Sequence, residues 1–450
     1  FMRQLLFSIN SLWPYTPEEY LAAVAYDVTM ITMVLFMIHH LPPGSSIFIL
    51  MIHTSHSTHM RHCSTIGHFC INAARCAILR QTHWSAIFKP EQAPERLMQS
   101  EGKRCMSGTE LKQAPKKLIV NHEASPYGTY RGAIEDANWE TFDYSGLKAL
   151  PWPLGIGGKS KRLKRWQFVG AIDENVVIGA AAVHVQYLGT GFAYVYDRKS
   201  NTITEKNIKS PLARNTSFSR SPVTGISEIK KGAHSIRAEN TVRGGRRKLH
   251  VDFGSGLSFS IDYHEPGFGV STICPQDGAG FHHTYKSAGL PATGEYTLNG
   301  NTTPLTSNAL ALLDWTISTP PRATTWNWAC AVGRDASGLP IGINCSRGLV
   351  GGGYSQNTIW LDGRPTVLSG VSFDYDSGNI PGQPWHIHTS DGNLDLTFHP
   401  LSERFENISL GLVASRLHQP FGTYKGVLKA EGKTLEVELF GFCEEHYAKW

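Results

Sequence analysis

His386 and His388 stand two residues apart in the run Pro384-Trp385-His386-Ile387-His388-Thr389. On a strand, positions i and i+2 share a face, so both imidazoles would point the same way, a geometry that suits a divalent metal. A third ligand would have to come from His399 or from a carboxylate near the C-terminus. The plainer reading has Trp385 and Ile387 in the core and both histidines on the polar face. On that reading no metal and no other cofactor is expected. Asp374 and Asp376 share one face of the segment from Val371 to Asp376, with Val371, Phe373 and Tyr375 on the other. Buried, such a pair could do acid–base work; solvated, it only edges a strand that ends at Ser377-Gly378. Glu445 and His446, preceded by Glu444 and followed by Tyr447 and Trp450, set a carboxylate beside an imidazole among aromatics, as a proton donor requires. Glu123 beside His122 offers the same pairing, and His282-His283, between Gly280 and Tyr285, read as a loop.

Aromatic residues are the candidates for ligand contact. Tyr130, Trp166, Tyr194, Trp326, Trp328, Phe373 and Trp385 lie in or near strand-like segments, where rings facing one interior would line a large apolar pocket. Plain core packing claims part of this set. The stretch 155–160 ends in Gly-Lys-Ser, but Pro153 stands where a phosphate loop needs its first glycine, and no helical pattern follows. The stretch 349–354 reads as a flexible turn. Basic runs at 159–165 and 243–248 read as a solvated rim, or as a contact with an anionic lipid surface.

The elements that must position these residues are strands. The segment 170–197 shows two strand-like runs around Asp173-Glu174-Asn175, then Phe192, Tyr194 and Tyr196 alternating with smaller residues. Segments 249–263, 358–361, 371–375, 394–398 and 434–442 behave alike, with turn residues every ~8–12 positions, as in sandwiches and barrels. One helix is expected, in the Ala- and Leu-rich stretch from Asn308 to Trp315. Pro126-Tyr127-Gly128-Thr129-Tyr130-Arg131-Gly132 recurs as Pro420-Phe421-Gly422-Thr423-Tyr424-Lys425-Gly426, which suggests two similar β-domains, 106–300 and 301–450. Closing each sheet on itself would protect the edges of the Tyr- and Val-rich strands.

The chain has 450 residues, 41% hydrophobic and 18% charged, with a formal net charge of +5. That composition excludes a disordered chain and a polytopic membrane protein, and nothing in it demands nucleic acid. All eight methionines lie at or before Met106, while only three of the 44 glycines precede it. Residues 1–105 therefore read as an extension of different origin, spurious, or disordered to weakly helical, with Met106 in the place of a start. Within it, 21–38 is long enough for a weak membrane anchor despite Asp27. His53, His56, His59 and His62 recur every third residue, but no capping or turn residues surround them to hold a metal. Cys274, Cys330, Cys345 and Cys443 form no CxxC pair and no signal peptide is evident, so a reduced, cytoplasmic protein is expected, membrane-anchored only through 21–38.

The segments 121–132, 161–166, 192–197, 326–329, 372–376, 384–400 and 440–450 together resemble the DUF2804 family over about 110–450. More distantly, the layout is similar to the paired lipocalin-like barrels of the AttH and carotenoid-hydratase proteins. The resemblance implies an all-β chain of two lipocalin-like antiparallel barrels or barrel-like domains. It also implies a hydrophobic small molecule, of lipid or isoprenoid class, held in an apolar barrel cavity. A hydratase or cyclase acting on such a ligand would add a buried carboxylic acid that protonates an alkene. A carbohydrate-binding or carbohydrate-processing protein would instead present its tryptophans in an open groove.

Overall fold

The computed structural model describes residues 111–450 apart from 241–244, 277 and 351–352. The stretch 21–38 and the histidines at 53–62 lie outside the described residues. Among the described residues no helix is long and apolar enough to cross a membrane.

The fold is all-β and antiparallel. A small hairpin of β1 (Ile119–Val120) and β2 (Glu123–Ala124) precedes β3 (Gly128–Arg131). A meander follows: β4 (Lys164–Ile172), β5 (Val176–His184), β6 (Leu188–Asp197) and β7 (Thr202–Pro211). A second meander comprises β8 (Thr216–Ser217), β9 (Ile226–Lys231), β10 (His234–Glu239), β11 (Arg246–Asp252) and β12 (Leu257–His264). Then come β13 (Val270–Gln276), the long β14 (Gly280–Leu298), β15 (Asn301–Pro304) and β16 (Leu310–Ser318). From β3 to β16 these strands form one 14-stranded sheet, in which β16 lies between β4 and β14 and joins the two meanders.

The chain changes sheet across residues 319–322. The remaining strands are β17 (Ala323–Arg334), β18 (Pro340–Arg347), β19 (Thr358–Leu361), β20 (Arg364–Val367) and β21 (Val371–Asp374). They continue as β22 (Trp385–Thr389), β23 (Leu394–Ser409), β24 (Ala414–Ala430) and β25 (Lys433–Lys449). These make a nine-stranded sheet in which β25, last in the chain, pairs between β17 and β24. The two sheets curl as one near-closed barrel and one half-barrel.

One expectation is corrected. The stretch from Asn308 to Trp315 is no helix: all nine residues of β16 are buried, and a strand covered on both faces reads as a continuous apolar run, which periodicity cannot tell from a helix. β15 and β16, beyond residue 300, belong to the first sheet.

Alternation assigns each side chain to a face. On β16, Ala311, Leu313, Trp315 and Ile317 join the first sheet's own core, while Leu310 and Leu312 join a core shared between the sheets. On β17, Ala329 and Ala331 point into the second sheet's core and Trp326, Trp328, Cys330 and Val332 into the shared one. The shared core is rich in rings: Phe168 meets Trp328 edge-on at 5.6 Å, and Phe421 stacks on Tyr196 at 4.7 Å. Arg404 of β23 closes the same layer with a two-pronged bond to Glu205 of β7, both contacts 2.8 Å. The backbones nearly touch at one place. A Cβ on Gly342 of β18 would lie 2.3 Å from the carbonyl carbon of Ala288, next to the bulge at Gly289 of β14, where φ is +76°. Backbone cannot yield there as a side chain would, so Gly342→Ala should lower stability by about 1–3 kcal/mol. Urea denaturation measures this; an unchanged midpoint would mean the contact is slack.

Candidate active site at the seam between the sheets

Three strands of the first sheet present polar side chains to the shared face in register. Lys286 of β14 is opposite Asp314 of β16, Thr284 is opposite Thr316, and His282 is opposite Ser318. On the far side of β16, Trp166 of β4 is the partner of Thr316. Asp314 is 4% exposed and its carboxylate is fully engaged. One oxygen pairs with Lys286 Nζ at 2.6 Å and accepts from Trp166 Nε1 at 3.1 Å. The other accepts from Thr316 Oγ1 at 2.7 Å and Thr284 Oγ1 at 3.3 Å. Trp328 of the second sheet covers the ammonium, with its ring 4.7 Å from Nζ. At the other end of the rows the polar groups are unanswered. Neither ring nitrogen of His282 has a hydrogen-bond partner, nor does Ser318 Oγ. Burial, reinforced by Lys286, pushes the His282 imidazole down to about 3, so it is neutral.

The second sheet contributes β17, β24 and β25. Glu444, 6% exposed, accepts from Trp326 Nε1 at 2.8 Å and Gln419 Nε2 at 3.1 Å. Both donors are neutral, and the ion-pair partner of Glu444 among the described residues is His446, whose Nδ1 is 3.4 Å away. The His446 ring lies 4.2 Å from that of Trp326, and its Nε2 is 2.9 Å from Ser415 Oγ. Trp450 joins the halves. Its ring is nearly parallel to Trp166 of the first sheet (9°, centroids 6.4 Å apart) and to Trp326 of the second (1°, 6.3 Å). Trp166, His446 and Trp450 remain partly exposed and mark the open end of the seam.

The structure brings together Trp166, Trp326, Trp328 and His446, with Tyr194 further along the same layer beside Phe421. The other candidates lie elsewhere. Phe373 and Trp385 fill the second sheet's own core. Glu445 points to the opposite face from Glu444, where Tyr375 donates to it at 2.5 Å and in turn stacks on Trp385. Glu123 is exposed in the β1–β2 hairpin, and Tyr130, on β3, bonds the Pro126 carbonyl. The second copy of that motif sits mid-strand in β24, where Tyr424 is fully buried. Asp374, His386 and His388 form an exposed cluster on β21 and β22, while Asp376 only caps the turn at Gly378. Of the basic run 159–165, Arg162, Lys164 and Arg165 are buried. His282 and His283 are mid-strand, not in a loop: a run of eleven buried residues hides the pattern that would identify β14. Cys274, Cys330, Cys345 and Cys443 are all buried. Sequence reasoning missed Lys286, Asp314 and Gln419, and chose Glu445 over Glu444. The even-numbered positions of β25 carry Phe440, Phe442, Glu444, His446 and Ala448, and that period of two would have selected Glu444.

A family model described as a domain of unknown function, DUF2804, matches residues 109–450. The chain belongs to that family. No curated protein matches this DUF2804 chain. Among solved structures it is similar to an AttH protein from Nitrosomonas europaea, at 13% identity over 67% of this chain and 98% of that one, with a TM-score of 0.42. Kievitone hydratase from Nectria haematococca aligns at 13% identity over 75% of this chain and 98% of that one, TM-score 0.40. CghA aligns at 9% identity over 75% and 97%, TM-score 0.39. Likenesses this distant say nothing about ligand or reaction.

The buried histidines make a pH test. The His283 imidazole, on the inner face of β14, is pushed down to about 4 by burial. With both pKa values below the ordinary ~6.5, the unfolded chain binds more protons, so stability is full above pH ~6.5 and lost as pH falls toward the folded values. Between pH 7 and 4.5 each histidine should remove about 2–3 kcal/mol. His282→Gln should shrink the loss by that amount in urea titrations at the two pH values. Parallel pH profiles for variant and wild type would refute the assignment.

Proposed function

We propose that this protein binds a hydrophobic small molecule at the open end of the seam and performs an acid-catalysed hydration or cyclisation on it, with Glu444 as the proton donor. The observation that carries the reading is the environment of Glu444: a buried carboxyl on the shared face that accepts from two neutral donors, with His446 as its ion-pair partner among the described residues. A carboxyl beside an imidazole among aromatic rings has the parts of a proton donor to an alkene. Asp314 is unsuited to that role, because Lys286 and three hydroxyl or indole donors hold its oxygens.

The steps balance without a redox partner. Glu444 delivers a proton to one alkene carbon, and the π electrons form the new C–H bond. The cation left on the neighbouring carbon lies among indole faces, where ring quadrupoles stabilise positive charge by about 2 kcal/mol once water is excluded. Water then adds, or a second double bond closes a ring, and the proton released returns to Glu444. His446, between Glu444 and Ser415, is placed to orient the carboxyl and to relay that proton toward solvent. Two sets of side chains fill the sheets' own cores, which supports placing the ligand at the seam rather than inside a barrel. Trp326, Trp328, Phe373 and Trp385 are 9% exposed or less, which gives no support to an open sugar-binding groove.

The test uses the full chain, purified without detergent. Its apolar extract, identified by mass spectrometry, is returned to the protein in D2O. Wild type should place deuterium on carbon, Glu444→Gln should bind the same molecule without labelling it, and Trp326→Ala should lose the molecule. Labelling by Glu444→Gln equal to wild type would refute the assignment, and retention by wild type with no labelling would leave a carrier.

A further inference from the structure

A second cluster lies on the outer face of the second sheet, away from the seam. β21, β22 and β23 are adjacent, with Asp374 opposite His386 and His388 opposite Asp395. Alternation sends Phe373, Trp385, Ile387 and Leu396 inward and leaves the two histidines and two aspartates outside. The imidazoles lie face to face, 4.6 Å between centroids and 22° from parallel.

The decisive detail is how the imidazole nitrogens are committed. His386 Nε2 is 2.9 Å from Asp395 Oδ1, so the ring's N–H is taken by that carboxylate. Its other nitrogen, Nδ1, is left with a lone pair facing Asp374 Oδ2 at 3.9 Å. His388 Nε2 is 3.0 Å from the same oxygen. One atom from each of Asp374, His386 and His388 therefore lies within 4.8 Å of the others. A tetrahedral ion with ligands at about 2.0–2.2 Å needs its ligand atoms roughly 3.3–3.6 Å apart, which small side-chain rotations provide. A carboxylate on the far nitrogen of a ligating histidine is the usual outer support of such a ligand, fixing its tautomer and raising its basicity. Asp395 stands in that position.

The geometry points to a binding site for a divalent transition-metal ion, best suited to Zn2+, with Asp374, His386 and His388 as ligands and Asp395 orienting His386. Two imidazoles and one carboxylate favour zinc, nickel or copper over calcium or magnesium, which take all-oxygen sites. The side chains are 36–67% exposed, so the remaining coordination position is open to water or to a donor atom from another molecule.

Isothermal titration of the full, chelator-treated chain with ZnCl2 at pH 7.5 tests this. Other histidines in the chain contribute a background, so the readout is the difference from His386→Ala/His388→Ala. Wild type should bind one more Zn2+ than the double variant, in the micromolar range. Asp395→Asn should keep the stoichiometry and weaken that site about 10–100-fold. Equal stoichiometry and affinity in wild type and double variant would overturn the site. Should the double variant fail to fold, Asp374→Asn, a near-isosteric change at an exposed position, carries the same comparison, and unchanged binding there would also overturn it.

Discussion

Lys286 and Asp314 can be buried only together. Each is about 5% exposed, and either one alone would leave an uncompensated charge in a low-dielectric layer, at a cost of about 3–5 kcal/mol. The pair forms only if β14 and β16 hold the register that sets residue 286 against 314, and a slip of one residue would turn both side chains to opposite faces. The same register aligns Thr284 with Thr316 and His282 with Ser318, and brings Trp166 onto the carboxylate. Trp328 then covers the ammonium from the other sheet, so the electrostatics of one sheet and the packing of the second solve the same desolvation problem. The arrangement of the seam follows from that coupling.

The fold was legible where strands are half-buried and not where they are buried twice over. β12, with buried and partly exposed residues alternating, and β22, with Trp385 and Ile387 alternating with histidines, declare themselves by period. β16 and the first half of β14 carry buried side chains on both faces, and the alternation that identifies a strand disappears from their sequence. The site was obscured for the same reason. Its first-sheet half, His282, Thr284, Lys286 and Asp314, sits on those two strands. On the second sheet the tryptophans and His446 were legible because bulky rings mark a face. Glu444 and Glu445 are chemically identical neighbours, and the period of two along β25 decides which one turns toward the seam.

The two clusters of titratable groups illustrate how environment separates like residues. Glu444 and Asp374 are both carboxylates on strands of one sheet. The first is buried and accepts from one indole and one amide. The second is 64% exposed beside two imidazoles, where a negative charge costs little and can hold a cation. Strand alternation alone, with residues inward or outward, produces both settings from one sheet.

The peptide between β16 and β17, residues 319–322, includes Pro320 and Pro321. Those two strands both line the seam, so the faces that must meet are joined by four residues, half of them stiff. The tether is too short to let the sheets drift apart, and it holds each at a high effective concentration for the other. Association of the halves is thus insensitive to dilution. A molecule entering the seam competes with intramolecular re-closure and never with loss of a partner, and it enters beside the tether itself, where the Trp450 N–H donates to the Arg322 carbonyl.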